Sequence, residues 1–335
     1  MDPTFGMCRA LADGADLAEF AGGPFDVRAV VATIRPGSKH GSTLDDVPWG
    51  NFPHGDEVRE AVRQLATDGG SARDAMGVLY GMCADDSRAA AAVAVPFLIP
   101  VATDIHHPHR AEALGVLASP ARARHFGVAS RDDFPLHRAG TQHDDYDDYG
   151  VEVTGYPAGW SVVAARVAIT TEVPALLPLL NDSEPSIRID AAYALATAAD
   201  PDHTVRTALA TRFAKEHDPM VLAALVLATA ETTRAHPHPP TSTWIRELWQ
   251  DRTLAPEVRL AAAIGWLCLT DEPVPDALHA TVGALATEER VPAMDALPWM
   301  NAAAGAGEPG LLRCVRRMIH PEEPEPDDDP WASLP

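Results

Sequence analysis

Four prolines constrain this chain more than any other feature. Pro185, Pro219, Pro256 and Pro292 stand 34, 37 and 36 residues apart, and each leads into an apolar run: IRIDAAYALATA, VLAALVLATA, VRLAAAIGWLCL and MDALPWMNAAA. Proline at the first helical position loses no hydrogen bond, because that N–H has no partner inside the helix, and its fixed φ already suits the helix. The spacing is therefore a two-helix period. In residues 173–200 one apolar face is built by Val173, Leu176, Leu177, Leu179 and Leu180, residues 181–185 break the run, and Ile187, Ala191, Ala194, Leu195 and Ala198 resume it. Neither helix can bury its own stripe, so each hairpin needs neighbouring copies to cover it. The expected fold is all-α: a right-handed α-solenoid of helical hairpins with one long loop insertion.

The residues that carry this period resemble the HEAT-repeat family, whose units have a proline in the first helix, an aspartate in the turn and a valine–arginine pair in the second helix. Pro178, Asp182, Ile187 and Arg188 fit once, and Pro256, Val258 and Arg259 fit again. Leu222 and Asp295 stand at the arginine position of the other copies, and Pro298 interrupts the last helix. The likeness covers residues 160–320. LDDVPW at residues 44–49, LYG at 79–81 and AVPFL at 94–98 are similar to the front end of actinobacterial HEAT-repeat proteins, some thought to neutralise toxins. The resemblance implies Asp182, Arg188 and Arg259 as structural residues of the repeat.

With 335 residues, 46% of them hydrophobic, the chain can bury a large core. Twenty-six basic against 48 acidic side chains leave a net charge of −22, which argues against nucleic acid and anionic membrane as partners. Cys8, Cys83, Cys268 and Cys314 form no CxxC pair and read as reduced thiols, which with the lack of a leader or a long apolar run places the protein in the cytoplasm by expectation. No nucleotide or cofactor fingerprint occurs, so no cofactor is expected.

The chain divides into an irregular N-terminal segment (1–43), expected to be a cap or a partly mobile arm, N-terminal helical repeats (44–118), an insertion (119–160), C-terminal repeats (161–320) and an acidic, proline-rich tail (321–335) that is expected to be disordered. PGSKHGST at residues 36–43 lacks the Gly-Lys-Ser/Thr order of a phosphate loop and reads as a linker. Residues 89–101 are apolar on every side and should form a central helix. The insertion gathers Asp144, Asp145, Tyr146, Asp147, Asp148, Tyr149 and Glu152, and should project from the repeat stack because its acids cannot all be buried.

Three sets of residues are candidates for chemistry or binding. Asp190, Tyr193 and Thr197 share a side of the second helix and are expected to look into a concave face, with Trp266 as a further aromatic anchor or a core residue. The acids and tyrosines of residues 144–149 suit a basic protein surface. His106, His107 and His109, beside Asp104 and Glu112, form a weak metal candidate that His143, Asp144 and Asp145 would have to complete. The leading expectation is a non-enzymatic scaffold or adaptor that binds a basic protein partner, such as a toxin it neutralises. A HEAT-like DNA glycosylase for alkylated bases and a metal-dependent enzyme using the histidines are the alternatives. The first would need a cationic surface near Trp244, Trp249 or Trp266, and no basic stripe accompanies them.

Overall fold

A computed structural model describes residues 3–35, 42–66, 72–81, 87–122, 129–132, 134, 151–305 and 307–321. Every regular element among them is helical. The chain divides into two compact units, residues 1–123 with 137–215, and residues 124–136 with 216–335.

The first unit is organised around one apolar helix. α1 (Pro3–Ala12), α2 (Val27–Val31), α3 (Gly55–Ala66) and α4 (Ala72–Gly81) precede α5 (Arg88–Thr103), and α6 (Arg110–Leu117) and α7 (Ala158–Thr171) follow it. In α5 every residue from Ala89 to Pro96 is buried, and α3, α6, α7 and α2 pack around it, as its all-round apolar sequence requires. Burial of each Val, Leu or Ile there contributes roughly 1.5–3 kcal/mol. The N-terminal segment is part of this core rather than an arm. Val27, Val31 and Ile34 are buried and α2 packs on α7 and α5. Tyr80 of α4 is 46% exposed, and its hydroxyl donates to the Glu112 carbonyl at 3.3 Å.

The repeat region begins with α8 (Val173–Leu176), which continues as a 3₁₀ turn over Leu177–Asn181. Pro178 has no N–H to offer the carbonyl of Pro174, so the α-helical ladder gives way there. α9 (Pro185–Leu195) and α10 (Thr204–Phe213) complete the unit. The second unit holds α11 (Pro219–Ala235), α12 (Pro239–Gln250), α13 (Pro256–Leu269), α14 (Asp276–Leu285), α15 (Val291–Asp295), α16 (Pro298–Ala303) and α17 (Gly310–Ile319). Pro185, Pro219 and Pro256 each open a helix, and Pro292 is the second residue of α15, so the prolines mark every second helix from α9 onward. Pro298 splits the last copy into α15 and α16. Asp218 caps α11, accepting from the N–H groups of Met220 and Val221.

α11 and α13 pack side by side as their small residues allow: a Cβ on Gly265 would stand 3.0 Å from that of Ala230. α11 also buries Thr229, Glu231, Thr232, Thr233 and Arg234. Thr229 and Thr232 bond back to the carbonyls of Leu225 and Ala228, and Glu231 accepts the Trp299 indole N–H at 2.8 Å. Apart from the Thr233 hydroxyl, which finds no partner among the described residues, such groups are tolerated in a core because each is hydrogen-bonded. Cys8, Cys268 and Cys314 are buried free thiols, whereas Cys83 lies outside the described residues. No single helix among the described residues is long and apolar enough to cross a membrane.

Candidate functional site

Both described ends of the insertion are built into the core at the start of α5. Arg88, the first residue of that helix, donates from Nη1 to the Arg122 carbonyl at 3.5 Å on the outgoing side. On the returning side, residues 151–157 double back through Gly155, at φ +83°, with the Glu152 N–H on the Tyr156 carbonyl at 2.8 Å. Only glycine takes that left-handed conformation without strain.

Glu152 is 5% exposed, and its Oε1 accepts from the Ser161 hydroxyl of α7. Burial pushes its carboxyl up to about 8, against the opposing pull of Ser161, of the Arg88 charge and of the N–H groups that open α5. The acidic stretch is therefore not all at the surface, and Glu152 belongs to the core. Tyr156 is fully buried; its hydroxyl donates to the Phe25 carbonyl at 2.6 Å and accepts from the Val27 N–H at 3.1 Å. Asp26 accepts both an Nε and an Nη2 hydrogen bond from Arg28, whose guanidinium lies 4.3 Å over the Trp160 ring.

The outgoing side explains the residues expected on a concave face. Arg122, 3% exposed, lays its guanidinium 3.5 Å from the centre of the Tyr193 ring and donates from Nη2 to the Tyr193 carbonyl at 3.0 Å. Tyr193 is thus buried under an arginine and not offered to a partner. Thr197 is also buried and donates to the Ala194 carbonyl of its own turn at 2.8 Å. Asp190 is largely buried, and that burial raises its carboxyl to about 7. Trp266, 3% exposed, packs against Trp249 with ring centres 6.1 Å apart, which is the core reading of that residue.

Asp182 lies in the turn and Arg188 in the first turn of α9, each with its own partners. Arg188 donates to the carbonyls of Asp182 and Ser183, while the Asp182 carboxylate pairs with Arg110 at 2.5 Å. Of the histidines, His106 is exposed. His107 accepts from the His109 N–H through Nδ1, which leaves Nε2 to donate to the Leu65 carbonyl at 3.0 Å. That ring is held by backbone on both sides, and among the described residues no three His, Cys, Asp or Glu side chains converge as metal ligands. Asp144, Asp145, Tyr146, Asp147, Asp148 and Tyr149, like His143, the segment 36–41 and the tail from residue 322, lie outside the described residues.

Within the second unit, Arg131 of the insertion donates to the carbonyls of Leu267, Thr270 and Glu272, closing the C-terminal end of α13. Arg234 in turn donates to the carbonyls of Arg131, Asp132 and Cys268, and Ala129 and Phe134 are buried. Residues 129–132 and 134 of the insertion are thus a structural part of that unit and do not project.

An open feature of this unit is a cleft of about 490 Å³ between α12, α13 and α14. Trp249 and Gln250 end α12, Arg252 sits in the turn, Arg259 lies near the start of α13, and Ala277, Ala280, Thr281 and Ala284 line α14. In the first unit a smaller cleft of about 320 Å³ lies between α8, with its 3₁₀ turn, and α10. Sequence reading weighed ligand contact against a structural role for Arg259, placed it in the repeat, and passed over the cleft. The signal available was the spacing of Ala277, Ala280 and Ala284, a stripe of small residues with Arg252 and Arg259 nearby. No protein-family model, curated protein or solved structure matches this chain.

Proposed function

We propose that the chain is a non-enzymatic, HEAT-like α-solenoid that binds a protein partner with a basic surface. The observation that carries this reading is that Pro185, Pro219, Pro256 and Pro292, 34, 37 and 36 residues apart, stand at the starts of α9, α11, α13 and α15, with clefts between α8 and α10 and between α12 and α14. Arrays of this kind present extended surfaces for macromolecules. The net charge of −22 selects a basic partner, through long-range attraction that speeds encounter. In this reading the carboxylates of Asp144, Asp145, Asp147 and Asp148 supply the binding charge, since the described ends of the insertion are committed to the core. Their counterparts on the partner are lysines and arginines.

The test is capture by the immobilised full chain from extract of the source cells, at low and high salt. A basic protein should be retained at low salt and released as salt rises, and changing those four aspartates to Asn should weaken its retention at least about tenfold at low salt. Retention with unchanged affinity and salt dependence in that variant would remove the insertion from the function. Retention of nucleic acid instead would favour the glycosylase reading.

A further inference from the structure

We propose that the arginine-lined cleft of the second unit is the docking site of the chain's own acidic C-terminal segment. Three observations lead there. The first is unmatched charge. Arg252 is exposed, and neither it nor Arg259 lies within ion-pair distance of a carboxylate among the described residues. Among the described residues Arg259 donates only from Nε, to the Trp249 carbonyl at 3.3 Å. Asp251 does feel the charge of Arg259, but its carboxylate accepts from the N–H and hydroxyl of Thr253. In a chain this acidic, a concave site with two such guanidinium groups is fitted to carboxylates.

The second is the wall opposite. Ala277, Ala280 and Ala284 are exposed along one face of α14 and leave room for backbone to lie close against the helix. Trp249 lines the same cleft, and its indole N–H is buried with no hydrogen-bond acceptor among the described residues. The third is where the chain leaves the fold. α17 ends at Ile319, and the ring of His320 packs on that of His279 of α14, with centres 4.8 Å apart.

The next residues are PEEPEPDDDPWASLP, with six carboxylates between Glu322 and Asp329 followed by Trp331. α14 is ten residues long, about 15 Å at 1.5 Å per residue. Asp327 lies seven residues beyond His320, a reach of up to about 23 Å, so Asp327, Asp328 and Asp329 can pass around α14 to the arginines. Pro321, Pro324, Pro326 and Pro330 favour an extended path, which lowers the entropy lost on docking. The aspartates pair with Arg252 and Arg259, and Trp331 lies on the alanine face.

A guanidinium does not couple with carbodiimide, but an ammonium touching a carboxylate does, so Arg252→Lys in the full chain places a reporter in the cleft. In dilute solution, carbodiimide treatment followed by peptide mass spectrometry should find position 252 joined to Asp327, Asp328 or Asp329 within one monomer. The yield should fall at least about fivefold with Asp327→Asn, Asp328→Asn and Asp329→Asn together, or at about 0.5 M salt. In the unsubstituted chain, hydrogen exchange over residues 277–285 should be slower than in the Arg252→Glu, Arg259→Glu variant. A coupling only between two copies, one to an added acidic protein but not to the tail, or none in the folded monomer would each overturn the proposal. So would exchange indifferent to both arginines.

Discussion

At the start of α5 and in the cleft beside α14, the same residue type does opposite work. Arg88 and Arg122 are 7% and 3% exposed and spend their donors on carbonyls, with Glu152 and Tyr193 packed against them. Arg252 and Arg259 stand at the mouth of an open cleft with one backbone hydrogen bond between them. A buried guanidinium must be satisfied by its own fold, so its removal costs stability; an exposed one loses little when removed, and its charge is available to something else. The difference separates positions where variants will unfold the protein from positions where they will report on binding.

The comparison can be broken most forcefully at the root of the insertion. Trp160→Ala, at a fully buried ring under Arg28, should cost about 3–5 kcal/mol in denaturant unfolding. Arg131→Ala leaves three carbonyls at the end of α13 without a donor and should cost about 1–3 kcal/mol; a variant of unchanged stability would mean that residues 129–134 do not belong to that unit. Tyr156→Phe removes two hydrogen bonds and should cost about 1–2 kcal/mol by the same measurement.

Glu152 sharpens the contrast through pH. Its folded-state carboxyl sits at about 8, above an ordinary value of 4.5, so between those values the unfolded chain has released a proton that the folded chain still holds. Stability therefore falls as pH rises through that window. Asp190, raised to about 7, acts in the same direction. Glu152→Gln keeps an acceptor for Ser161 and has no proton to lose, so its stability relative to the unsubstituted chain should rise from pH 5 to pH 8.5. A difference that stays flat over that range would show the carboxyl to be solvated.

Much of the helical pattern could be read in the sequence because it depends on local geometry. Proline at a helix start and an apolar stripe at i, i+3, i+4 act within a few residues, and Pro185, Pro219 and Pro256 open helices accordingly. What escaped depends on partners far along the chain. Tyr193 is covered by Arg122, 71 residues upstream, and Val27 and Phe25 are held by Tyr156, about 130 residues downstream. No periodicity in a short segment reports such a cover, so Tyr193 looked like a surface anchor and the N-terminal segment like an arm. The histidines misled for a related reason: spacing alone put three imidazoles together, while His107 is turned to the Leu65 carbonyl by the fold. The cleft was hidden because an arginine in a repeat motif was assigned to the repeat, although its guanidinium also borders open space.

The central claim is tested most directly by one comparison of unfolding free energy at neutral pH. Arg88→Ala with Arg122→Ala should lose on the order of 3–5 kcal/mol, because the carbonyls of Arg122, Ala118 and Tyr193 would be left buried without these donors and the Tyr193 ring without its cover. Arg252→Ala with Arg259→Ala should stay within about 1 kcal/mol of the unsubstituted chain. Equal losses in the two double variants would contradict the division of the arginines into those that hold the fold and those that are free to bind.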